Sequence, residues 1–411
     1  MIFLVAVLAF YVAWNLGAND VANSMGTSVG SKAVTLRQAL VIAGVLEFTG
    51  AVLFGHEVSE TLATEIVNPA LFADAPQVLL VGMVSVLVAC GVWLQIATSR
   101  GLPVASSHAV VGAIAGFSAC AVGINAIAWS SIGLITLGWI VTPLLSASVA
   151  AIFYSAIKRW ILDQSNRLEQ LDEWIPWLSV ALVSIFGVIV LPPIINTPFI
   201  ANLPLPSHDV PLVTGAIAAC GITFNSWRQL DKVDPHAPAS IERIFAKFQL
   251  LSACFVAFAH GSNDVGNAIA PLAVIAYINA TGSVPVKGLT IPLWILVLGG
   301  AGIVTGLAIW GKKVIATIGE SIIPLQPSGG FCAELATATT IFLASRLGLP
   351  VSTSHALVGG VVGIGLVQNR KSIQFNTLQS IALAWVVTIP ISAGLGAILF
   401  SLARLLFGSS E

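Results

Sequence analysis

Two short stretches of this chain place a carboxylate between amides, and they match. Residues 17–23 read Gly-Ala-Asn-Asp-Val-Ala-Asn and residues 261–267 read Gly-Ser-Asn-Asp-Val-Gly-Asn. If helical, each stretch gathers its polar side chains on one face: Asn19, Asp20 and Asn23 in the first copy, Asn263, Asp264 and Asn267 in the second. Carboxylate and amide oxygens are hard ligands suited to a small cation such as sodium, while amide nitrogens can donate to an anion. Such groups can also serve as hydrogen-bonding glue between helices. A buried carboxylate is costly glue, however, and this one occurs twice.

A second pair of motifs supplies the opposite chemistry. Residues 101–108, Gly-Leu-Pro-Val-Ala-Ser-Ser-His, return at 348–355 as Gly-Leu-Pro-Val-Ser-Thr-Ser-His. A proline in the first turn of a helix leaves the neighbouring amide donors free, and hydroxyls beside them complete a cradle for an anion. Ser106 and Ser107 are the hydroxyls of the first cradle, Thr353 and Ser354 those of the second. Ala105 aligns with Ser352, so the second cradle carries one more hydroxyl and a shared ligand would sit off-centre toward it. Helix capping is the competing use of these serines. His108 and His355 could shuttle protons or could support the cradle through a backbone hydrogen bond. Thr27, Glu47 and Glu334 are further candidates for the ligand path or a third cation.

Charge decides how these parts could work together. Neither motif contains Lys or Arg, so an anion near Asp20 and Asp264 would meet uncompensated negative charge at low dielectric unless cations or protons entered with it. Coupled binding of anion and cation is then required. Phosphate near neutral pH still carries a proton to donate to a carboxylate, whereas sulfate can only accept, which favours phosphate.

The elements that hold these motifs must lie in a bilayer. Of the 411 residues, 57% are hydrophobic and 9% charged, far from the roughly 25% charged residues of a soluble domain. Apolar runs of about spanning length recur along the whole chain, so all-α, multi-pass membrane architecture is expected, with lipid as its surroundings. Short runs such as 1–14 and 335–345 sit beside the motifs and point to discontinuous or re-entrant helices around a central site. The motifs divide the chain into an N-terminal repeat, 1–128, a central link of helices and polar loops, 129–245, and a C-terminal repeat, 246–411. The polar intervals 158–173 and 226–247 are too small to be separate domains. The five cysteines fall largely in apolar runs and read as small core residues. The first apolar run leads into a motif rather than a cleavage site. A net charge of −1 without a basic block gives no reason to invoke nucleic acid. No catalytic arrangement is visible, since adjacent Ser and His on a helix point about 100° apart, and broken helices around two aspartates argue for alternating access over a channel.

At these residues the sequence resembles the inorganic phosphate transporter family, whose members carry Gly-Ala-Asn-Asp-Val-Ala-Asn near both ends and a Pro-Val-Ser-Thr-Ser/Thr-His element in each half. The resemblance implies a secondary active symporter of inorganic phosphate in the plasma (inner) membrane, built from two inverted-topology repeats and assembled as a homodimer. It implies cation or phosphate contacts for Asn19, Asp20, Asn23, Asn263, Asp264 and Asn267, and phosphate contacts for Ser106, Ser107, Thr353 and Ser354. Relatives differ in the driving ion. Sodium is the expectation here, with proton-coupled phosphate or metal-phosphate symport as the rival and sulfate transport a lesser one.

Overall fold

The computed structural model describes residues 1–100, 102, 104–189, 191, 209–232, 234, 240–286, 288–311, 315 and 322–407. Among them the regular structure is helical, with one isolated β-bridge between Val67 and Ile127. In chain order the α-helices are α1 (Ile2–Gly30), α2 (Leu36–Phe54), α3 (His56–Thr64), α4 (Pro76–Ser99), α5 (Ser106–Ala121), α6 (Trp129–Ile157), α7 (Arg167–Ile189), α8 (Asp209–Leu230), α9 (Ser240–Thr281), α10 (Leu293–Ile309), α11 (Pro327–Arg346), α12 (Thr353–Gln368) and α13 (Phe375–Phe407). Seven of them, α1, α2, α4, α6, α8, α9 and α13, are long and apolar enough to cross a membrane.

Two breaks interrupt this pattern, one between the end of α4 at Ser99 and the start of α5 at Ser106, the other at 347–352 between α11 and α12. α5 and α12 have 16 residues each, which at about 1.5 Å per residue falls short of a hydrocarbon core near 30 Å. The discontinuous helices therefore lie at the Ser-His motifs. The Asn-Asp motifs, where the short run 1–14 suggested a break, lie inside uninterrupted helices: α1 has 29 residues and α9 has 42. Neither motif contains a proline, and their amide groups bond to partners on other helices or to one another rather than melting their own backbone. Pro350 is also outside the first helical turn, because the N-cap of α12 is Ser352. The carbonyl of Pro350 instead accepts a hydrogen bond from Trp139 Nε1 at 3.1 Å. Pro103, the part of the apolar run 177–200 beyond 189 other than residue 191, and part of the interval 226–247 lie outside the described residues.

Packing exchanges helices between the two ends of the chain. α1 crosses α10 where Gly17 admits the Ile303 carbonyl, and α9 crosses α2 where Gly261 admits the carbonyl of Glu47. Likewise Gly116 of α5 lies on the Ala393 carbonyl of α13, and Gly363 of α12 lies on the Ala147 carbonyl of α6. A β-carbon at any of these four glycines would strike backbone, so the crossings need glycine for contact distance alone. The small-residue runs behind the two Ser-His motifs thus form close crossings. α6, from the stretch read as a central link, packs on α12 as α13 packs on α5.

Candidate functional site

The polar motifs converge where α1, α9, α5 and α12 meet. Asp20 and Asp264 approach each other so closely that one carboxylate oxygen from each and one nitrogen of His260 all lie within 4.8 Å of one another. All three side chains are buried. Buried carboxylates at this distance repel unless positive charge lies between or beside them.

Each remaining motif residue has a distinct task. Asn23 donates to Asp20 Oδ1 at 3.2 Å, and Asn267 donates to Ser106 Oγ at 3.2 Å. Thr353 Oγ1 donates to Asp264 Oδ2 at 2.9 Å. Asn19 and Asn263 brace the two helix breaks. Asn19 Nδ2 donates to Thr98 Oγ1 at 2.9 Å and reaches Leu102 O at 3.4 Å. Asn263 makes the equivalent contacts with Ser345 Oγ at 2.9 Å and Leu349 O at 3.3 Å. With its amide reversed, Asn263 still meets Ser345 and its NH2 group reaches Val351 O at 3.0 Å and Asp264 Oδ1 at 3.2 Å. Thr98 and Ser345, and Leu102 and Leu349, stand in the same register as the repeated Ser-His motifs, and in either orientation of the Asn263 amide each asparagine ties the end of the helix before a break to the backbone of the break itself.

Three buried oxygens at this junction have no hydrogen-bond partner in the protein: Asp20 Oδ2, Asn267 Oδ1 and Ser107 Oγ. Buried polar atoms are nearly always satisfied. A carboxylate oxygen and an amide oxygen are acceptor groups that fit a cation, and a serine hydroxyl can donate to an anion.

The two cradles differ at the residue before each helix. Ser352 is the N-cap of α12: its hydroxyl accepts from His355 N at 3.3 Å and lies 2.9 Å from Ser354 Oγ. The extra hydroxyl of the second copy is therefore engaged with its own helix. Ala105 caps α5 without a side-chain hydrogen bond, so the first turn of α5 keeps more free N–H groups than that of α12. His108 and His355 each contact a backbone carbonyl of another helix through Nδ1, and their Nε2 atoms are buried without a hydrogen-bond partner. Nδ1 of His108 contacts Trp385 O at 3.1 Å and Nδ1 of His355 contacts Trp139 O at 3.0 Å, each reaching the long helix of the other half. A carbonyl can only accept, so both rings carry their proton on Nδ1. The two rings meet edge to face, with centroids 4.9 Å apart.

Glu47 and Glu334 occupy separate settings. Glu47 accepts from Ser24 Oγ at 2.7 Å and its other oxygen lies 3.2 Å from His260 Nδ1. Glu334 accepts from Thr27 at 2.7 Å, Ser28 at 2.6 Å, Gln249 at 3.0 Å and Ser252 at 2.8 Å. Thr337, Thr339 and Thr340 donate to carbonyls one turn back on their own helix. His260, Gln249, Ser252, Trp139 and Trp385 were not singled out from sequence. His260 had one available signal, its i, i+4 spacing from Asp264.

Comparison with known proteins identifies the family of the chain. The profile described as "Phosphate transporter family" matches residues 16–396. "Inorganic phosphate transporter 2-1, chloroplastic" from Arabidopsis thaliana is 39% identical over 95% of this chain and 70% of its own length. A solved structure titled "The sodium-dependent phosphate transporter" superposes with a TM-score of 0.89 at 35% identity, covering 99% of each chain. Relatives with these names are transporters rather than enzymes, and the chain is a multi-pass integral membrane protein that belongs to the phosphate transporter family and transports phosphate.

Proposed function

We propose that the chain is a secondary active importer that couples inorganic phosphate to sodium by alternating access. The observation that carries this reading is the convergence of Asp20, Asp264 and His260 within 4.8 Å beside the first turns of α5 and α12. Phosphate brought to those helix N-termini meets two carboxylates and needs accompanying cations. Asp20 and Asn267, with their unpartnered oxygens, are the first sodium ligands, supported by Asn23 and Asp264. Asn19 and Asn263 act one step back, by holding the helix breaks. Ser106, Ser107 and the free N–H groups of α5 supply most of the phosphate contacts, with Thr353 and Ser354 on the opposite side. Glu334, with hydroxyl oxygens from Thr27, Ser28 and Ser252 around it, offers oxygen donors suited to a further sodium ion.

The exchanged helix packing supports two equivalent repeats that extend through α6 and α13 and rock against each other around a central site. The solved relative's title names sodium dependence of that protein, which favours the same coupling here.

Uptake of labelled phosphate into proteoliposomes, with sodium and proton gradients imposed independently and sulfate as competitor, tests the proposal. Uptake driven by inward sodium at fixed pH and resistant to sulfate is expected. Uptake that follows the proton gradient alone would overturn sodium coupling.

A further inference from the structure

The two halves of the site are not electrically alike, and the difference is confined to one buried row of side chains. His260 is fully buried, with Nε2 2.9 Å from Asp264 Oδ2 and Nδ1 3.2 Å from Glu47 Oε2. Glu47 in turn accepts from Ser24, one residue after the first Asn-Asp motif. On its far side Asp264 Oδ2 accepts from Thr353 in the first turn of α12. Ser24, Glu47, His260, Asp264 and Thr353 therefore form a row from α1 through α2 and α9 to α12, hydrogen-bonded at its two ends and joined through His260 by ion-pair proximity on both sides.

The other half has no such row. Gly17 and Gly261 are equivalent, and they rest on the carbonyls of Ile303 and Glu47 respectively. Gly306 on the Trp14 carbonyl and Gly50 on the Phe258 carbonyl repeat the same pairing and fix the register of α2 against α10. By that register Ile303 stands where Glu47 stands, Leu16 where His260 stands and Ala268 where Ser24 stands. All three are fully buried hydrocarbon. A lone ion-paired histidine in one of two otherwise matched crossings serves more than packing, because the matched crossing packs without it.

We propose that His260 is a positioning residue: with Thr353 it fixes Asp264 Oδ2, and through Glu47 and Ser24 it ties that carboxylate to the helix of the first motif. The two aspartates then divide their work. Asp264 has a histidine and the Thr353 hydroxyl at one oxygen, while Asp20, whose resident partners are Asn23 and the Ser106 hydroxyl and whose Oδ2 makes no close hydrogen bond, is left for the mobile cation. The inference rests on the reading that both aspartates belong to the phosphate–sodium site.

The test copies the apolar half onto the polar one. Glu47→Ile combined with His260→Leu installs the pair found at Ile303 and Leu16, an exchange of a buried ion pair for hydrocarbon that proteins commonly tolerate in folding. Phosphate and sodium titrations of uptake are then read in proteoliposomes beside Ser24→Ala, Glu47→Gln and Asp264→Asn. The expected result is a rise of about tenfold or more in half-saturating phosphate for the double variant. Ser24→Ala, which copies Ala268 and keeps the core packed, is expected to shift half-saturating sodium by about threefold. Glu47→Gln, whose single amide oxygen can serve His260 or Ser24 but not both, is expected to raise half-saturating phosphate by a smaller factor than the double variant, and wild-type titrations for it would count against the row. Wild-type titrations for the double variant, or for Ser24→Ala should the double variant fail to fold, would reduce the row to packing and overturn the proposal. Wild-type transport by Asp264→Asn would instead remove the reading on which the proposal rests.

Discussion

Ser352 and Ala105 show how one hydroxyl changes the use of two otherwise similar helix ends. Their backbones are nearly the same, φ −90° and ψ 115° at Ser352 against φ −85° and ψ 114° at Ala105, so either could host a serine cap. Ser352→Ala is expected to cost about 1 kcal/mol of stability by releasing the cap, with half-saturating phosphate unchanged. Ala105→Ser should gain a similar amount while occupying an N–H group that phosphate uses, raising half-saturating phosphate about tenfold. Thermal unfolding in detergent together with uptake titrations checks both; a phosphate effect at Ser352 and none at Ala105 would place the ligand on α12 instead. The hydroxyls were legible in sequence as candidates, but their division into cap and donor depends on where each helix begins, a matter of one residue. His260 escaped notice for a related reason: its equivalent is Leu16, and a search for what the two copies share passes over what only one of them has.

At the scale of helices, motif order and the existence of two broken segments were legible, and the places of the breaks were not. Apolar runs on either side of Asn19 and Asp20 read as separate pieces because hydropathy falls wherever amides and carboxylates cluster. The backbone continues through them because nothing in Asn-Asp-Val-Ala-Asn removes an N–H group or a helical φ. At 347–352 the cause of the break is visible, since Gly348 takes φ 65° and Pro350 follows. The crossings behind the cradles are set by glycine. Gly116→Val and Gly363→Val would each drive side-chain carbon into a carbonyl of the opposite half, at Ala393 and Ala147. Overpacking of this kind costs about 1–3 kcal/mol or more where the obstacle is backbone, so both variants should lose folded protein from the membrane. Gly133→Ala, with nothing within 4 Å of the added carbon, should keep wild-type levels in the same size-exclusion and uptake assays. Equal recovery of all three would show that these helices are free to separate.

The whole molecule reads as two sets of helices, each resting on members of the other. His108 and His355 fasten the cradle helices to Trp385 and Trp139 across that division, and the glycine crossings repeat it at α1, α9, α5 and α12. Hydropathy could not reveal the exchange, because a lipid-facing run and a run packed on another helix have the same composition. The register that relates the cradles also relates two short helical turns at their far ends, Ile124–Ala126 after α5 and Arg370–Ser372 after α12. Those turns separate two explanations of the duplication. If the repeats are inverted, a two-fold axis in the membrane plane sends the two turns to opposite surfaces; if they are parallel, both emerge on the same one. Ile124 is 65% exposed, and Lys371 is also exposed, so each can carry a reporter without disturbing a core. In a background from which the native cysteines have been removed, Ile124→Cys and Lys371→Cys should react with a membrane-impermeant maleimide from opposite faces of oriented vesicles. Labelling of both from one face would make the repeats parallel. Alternation would then require the halves to move by something other than the exchange of two mirrored postures, since only an in-plane axis makes the inward-open arrangement of one half the outward-open arrangement of the other.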